Sequence, residues 1–165
     1  LVDFFDAKSC VLIVPIAGDP SSVLHRVRRP ADGGGLQSDK VGEHLARQLL
    51  SLPSNIRVTF DSTAALIGGR APRLSAWGPD RERCNAGCSE QCLELSILLE
   101  APLFVTVPFR HSEGLTGRLY IVAPARRPSA AQTEFLVQAT TQVATAINNI
   151  ALFQELTRST AAPRT

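Results

Sequence analysis

Three cysteines at equal intervals, Cys84, Cys88 and Cys92, are the side chains best placed for chemistry in this 165-residue chain. Thiolates bind zinc or iron–sulfur clusters, with zinc–sulfur bonds of ~2.3 Å. On a continuous helix, residues four apart drift ~40° per step, and the outer pair would sit ~12 Å apart, too far to share one ion. A loop loosened at Gly87 would let the three converge, with Cys10 or a histidine as the fourth ligand. Cys84, Cys88 and Cys92 are therefore the candidate metal or iron–sulfur ligands. Two further readings use the same residues. As a redox group, α-carbons four apart on a helix lie ~6 Å from one another, within disulfide reach. As plain packing, the three are reduced thiols under a loop with no ligand. Cys10, inside an apolar run, reads as a small core residue.

Something must position that cluster, and the bulk numbers say one domain does. At ~150 residues per domain, the chain makes a single unit. It is 44% hydrophobic and 19% charged with net charge +2, which disfavours a disordered or collagen-like chain. The chain can bury ~70% of its unfolded surface, so the cysteines are not needed as staples. No basic leader precedes Val11–Ile16, and that run is far short of the ~20 residues a bilayer demands. A cytoplasmic location is the expectation. The cluster His25-Arg26-Val27-Arg28-Arg29 reads as the solvated face and end of a strand. Nucleic acid is not expected as a partner, because no aromatic residue interleaves with those cations.

Residues 10–16 and 23–29 are rich in β-branched side chains and flank a turn-forming stretch at 17–22, which predicts a hairpin. After the glycine-rich loop Ala31–Gly35, Ser38 is the expected N-cap of a helix. Asp39 stands in its first turn, Val41, Leu45, Leu49 and Leu52 form one face, and Pro53 ends it. Glu43 and Arg47 are an i,i+4 pair on that helix. Ile56–Phe60 alternates as a strand. From Asp61 to about Leu93 no period persists, and the segment reads as a long functional loop or pocket wall. Order returns at Leu103–Phe109 and Leu115–Val122, a hairpin joined at His111–Gly114. Ser129 and Gln132 form a capping box for a helix running to about Thr157. In it Leu136, Val143 and Ile150, with Ala139, Ala146 and Phe153, repeat as a coiled-coil seam.

Three blocks carry a family resemblance. Phe5-Asp6-Ala7-Lys8-Ser9-Cys10-Val11-Leu12 resembles the first strand of GAF domains. Val107-Pro108-Phe109 with Gly114-Leu115-Thr116-Gly117-Arg118-Leu119-Tyr120-Ile121 is similar to their last hairpin. Glu134–Ala139 with Gln142–Phe153 resembles their C-terminal helix, in the version that feeds bacterial sensor histidine kinases. The resemblance implies an α+β fold over residues 1–157: a central antiparallel sheet flanked by helices, a ligand pocket on one face and terminal helices on the other. It implies a leading helix cut short, a linker from 158, and a kinase effector elsewhere in a longer protein.

The function expected is thus a ligand- or redox-sensing input domain of a two-component system. It would act as a homodimer through its C-terminal helix and bind a small molecule of unknown identity. No catalytic residue is assigned. The chain lacks a phosphoacceptor-histidine motif, since His25, His44 and His111 fall on a strand, a helix and a turn. Alternatives from other classes are a thiol enzyme of the same fold, such as a free methionine sulfoxide reductase, and a ligand-free dimerisation module.

Overall fold

Alternating apolar runs of the kind just described bury themselves only by pairing. The computed structural model, which describes residues 1–16, 19–40, 42–84, 86–111 and 114–161, joins them in one antiparallel sheet. Its strands are β1 (Ala7–Ile16), β2 (Asp19–Arg28), β3 (Gln37–Lys40), β4 (Arg57–Asp61), β5 (Arg73–Trp77), β6 (Leu103–Arg110) and β7 (Thr116–Pro124). They lie in the order β3-β2-β1-β7-β6-β4-β5. The helices are α1 (Val2–Phe5), α2 (Glu43–Leu49), α3 (Thr63–Gly68), α4 (Ala86–Leu98) and α5 (Ala130–Ala161), with a 3₁₀ turn at Arg81–Arg83. The α+β class and the long C-terminal helix are as expected. Among the described residues no helix is long and apolar enough to cross a membrane.

Register divides the sheet into two faces, because side chains alternate along each strand. Val11 pairs with Tyr120 and Arg26, Thr106 with Tyr120 and Val58. These residues share a face with Ile13, Phe60, Phe104 and Val122, packed under Leu49 of α2 and under Cys88, Cys92 and Leu95 of α4. Cys10, Leu119, Ile121, Val105 and Val107 point the other way, against Val2 and Phe5 of α1 and Leu136 of α5. Burial on both faces explains why β6 and β7 carry continuous apolar runs, over 103–105 and 119–123, rather than a strict alternation.

Several expected boundaries move. β2 begins at Asp19, so residues 19–22 are strand rather than turn, and Ala17 and Gly18 lie outside the described residues. The helix expected from Ser38 starts at Glu43 with Gly42 as N-cap. Gln37–Lys40 instead pairs with His25–Arg28, and the Asp39 carboxylate accepts from Arg26 Nε and Nη2 at 3.1 and 2.6 Å. Ser and Asp are weak helix formers, and a cross-strand ion pair on a free sheet edge outweighs their local preference. Val41 lies outside the described residues. The Glu43–Arg47 pair forms as expected, at 2.7 Å.

The largest correction concerns residues 61–93, which hold α3, β5, the 3₁₀ turn and most of α4 rather than a loop. In α4 the buried stripe is Cys88, Cys92 and Leu95, while Leu93, Ile97 and Leu98 are exposed. Apolar residues on every side blur the helical period, and the stripe itself is made of cysteines. At the far end, Gln132 N–H donates to Ser129 Oγ (3.2 Å) and Ser129 N–H to Gln132 Oε1 (2.9 Å), the reciprocal cap expected for α5. That helix continues to Ala161, so residues 158–161 are helical.

Candidate functional site

Two of the three clustered cysteines go to the core, and the third packs at its margin. Cys88 and Cys92 are 1% and 0% exposed on the sheet-facing side of α4, and half-buried Cys84 precedes the helix. All four cysteines are free thiols. Among the described residues no group of three or more His, Cys, Asp or Glu side chains is gathered to hold a metal ion. Burial pushes the Cys92 thiol up to about 12 and Cys84 up to about 11, the latter helped by the neighbouring Cys88. Burial likewise raises Cys10 to about 11. Thiols so placed stay protonated at neutral pH, which is unsuited to nucleophilic attack.

These thiols make stability depend on alkali. An unfolded thiol ionises near 9, whereas Cys10 and Cys92 hold their protons to about 11 and 12 when folded. Their contribution is therefore complete below pH 9 and is lost as pH climbs through the folded values. Within that window each costs about 1.4 kcal/mol per pH unit. Tyr120, raised by burial to about 12, adds a loss of the same sign. Urea midpoints should fall steeply above pH 9, and Cys10→Ala should flatten the fall. An equal slope in that variant would contradict the assignment.

Beside these thiols lies a residue the sequence did not single out. Arg118 is 1% exposed, in the middle of β7. Its guanidinium donates to Ile56 O from Nη1 (3.1 Å) and Nη2 (2.6 Å), and from Nη2 to Pro53 O (3.3 Å). No carboxylate pairs with it among the described residues, and burial lowers its pKa. Two residues along, Tyr120 donates its hydroxyl to Leu49 O. Together these side chains tether the end of α2 and the following loop to the sheet. The available signal was positional: with Leu119 and Ile121 facing α5, Arg118 and Tyr120 had to face the other side of a central strand.

The tethered helix roofs a cleft of about 470 Å³, floored by β1, β2 and β7 and closed by the C-terminal end of α4. Arg26, Arg28 and Arg29 of the basic cluster line it, and Arg28 and Arg29 are exposed, as expected of a solvated strand end. Arg26 lies opposite Val11, and Arg28 lies opposite Ser9 and Gln37, on the α4 side of the sheet. Among the described residues Lys8 and Arg29 complete four cations around the cleft, and Glu100 is the lining carboxylate. Val11, Leu45, Leu99 and Val122 supply apolar wall.

Most of these cations are engaged. Asp39 pairs with Arg26, which holds the Asp39 carboxyl below the usual range. Arg29 bridges Asp3 and Asp6 at 2.6 and 3.0 Å, and Lys8 stands 3.9 Å from Glu100. Arg28 makes no ion pair among the described residues. Compared with protein-family models, with curated proteins and with solved structures, the chain matches none.

Proposed function

We propose that this chain is a GAF-like, ligand-sensing input domain of a two-component sensor histidine kinase, and that it reports through α5. The observation that carries the reading is the way α5 is shared between two environments. Leu136, Thr140 and Ala144 dock it on the sheet, opposite the cleft. Beyond them Ile150, Leu152, Phe153 and Leu156 are 59–71% exposed on the same 32-residue rod, ~48 Å long. Single exposed apolar side chains are common, but four within seven residues suit a partner helix. A ligand in the cleft and a helix pair on the opposite face would act on one sheet. Binding that favours one arrangement of α5 over another would shift their populations. The sensing role rests on the cleft rather than on the cysteines. A thiol enzyme would need a thiolate near neutral pH, and burial works against one.

The chain should therefore be a dimer by light scattering at high micromolar concentration. Ile150→Glu with Phe153→Glu should yield a monomer with an unchanged melting temperature, since both side chains lie outside the core. A monomeric parent chain would overturn the reading.

A further inference from the structure

We infer that the cleft binds a small organic anion, with its carboxylate or phosphate on Arg28 and its apolar body against the apolar residues beside it, Val11, Leu45, Leu99 and Val122. The inference deepens the sensing role by naming its ligand class. It begins with charge. Among the described residues four cations and one carboxylate line the cleft, and Asp39, Asp3 and Asp6, outside the lining, pair with Arg26 and Arg29 and leave Arg28 as the cation without an ion pair. Three of those cations have acidic partners, and those partners hold them in place. Arg26 spends Nε and Nη2 on Asp39, which leaves the N–H groups of Nη1 to offer. Arg28, two residues along the same strand and on the same face, makes no ion pair among the described residues; Asp39 feels its charge but spends both oxygens on Arg26. Two guanidiniums side by side, one fixed and one open, form a seat for a planar or tetrahedral anion.

Shape and polarity narrow the class. The site is concave, and Ser9, 6% exposed, forms its floor beside Arg28. Val11, Leu45, Leu99 and Val122 form apolar wall that a bare inorganic ion would leave wet. Among the described residues no aromatic side chain lines the cleft, which gives stacked bases of a nucleic-acid strand no platform there. An anion with an apolar portion satisfies both halves of the site.

Phenyl phosphate and benzoate are suitable probes, and benzyl alcohol is the neutral control. Calorimetry with amide NMR should show saturable binding of one or both anions, with shifts at Ser9, Arg28, Gln37 and Leu99. A preference between the two distinguishes phosphate from carboxylate. Binding should weaken with added salt. Arg28→Gln should weaken it about tenfold or more, and Arg28→Lys by less, because charge remains while the fork is lost. Arg28 is exposed, so both variants should fold. Failure of both anions to bind saturably would overturn the inference, as would equal binding of benzyl alcohol or an unchanged affinity in Arg28→Gln. Binding is measured on the domain itself, whereas the α5 reading is tested by oligomeric state, so the two fail separately.

Discussion

Gly117→Ala should lower stability by about 3 kcal/mol or more, a large share of the ~5–15 kcal/mol that holds a domain folded. A Cβ at this position would lie 2.5 Å from the backbone oxygen of Ile13 and 2.5 Å and 2.8 Å from Cζ and Cε2 of Phe109. The ring is the partner of Gly117 across β6–β7 and covers the place where a side chain would be. A flexible neighbour could swing aside, but Ile13 cannot. It sits in β1, paired with β2 on one side and β7 on the other, and is fully buried. Relief requires either prising β1 from β7 or expelling Phe109 from the core. Urea denaturation of the variant measures the loss directly. Adding Phe109→Leu to Gly117→Ala should recover the part due to the ring and leave the part due to the backbone. A loss below about 1 kcal/mol would contradict so close a strand approach.

Arg118→Ala should cost about 3–5 kcal/mol. The substitution empties the volume of the largest fully buried side chain among the described residues and strips the donors from the carbonyls of Ile56 and Pro53. Arg118→Met separates the two effects. Methionine fills much of the space and spares the desolvation of a guanidinium that has no carboxylate among the described residues, so it should recover about 1–2 kcal/mol. Chemical denaturation of both variants checks the order. If Met were as damaging as Ala, the carbonyl tether would be the whole of the arginine's contribution. Either variant should also loosen the loop after α2, and hydrogen exchange around Ile56 should rise.

Much of this was legible beforehand where the signal is local. The β6–β7 hairpin, the β1–β2 pairing, the Ser129–Gln132 cap and the long α5 each rest on contacts between residues near one another in sequence. The start of α2 was misplaced because Asp39 answers Arg26, thirteen residues away. The secondary structure of 61–93 was missed because α4 presents apolar groups on all sides and builds its inner stripe from cysteines.

The sequence by itself determined which residues share a strand face, where the terminal helix begins, and that the chain forms one α+β unit. Tertiary structure alone decided what each face meets. Alternation says that Arg26 and Arg28 point together, and that Arg118 points with Tyr120. It does not say that the first pair would line a cleft and Arg118 would be sealed in the core. That depends on strand order: β2 lies toward an edge and leaves room beside it, whereas β7 lies at the centre under α2 and α4. The cysteines follow the same logic. Their spacing is a local matter, whereas the burial of Cys88 and Cys92 follows from the sheet face that α4 packs against.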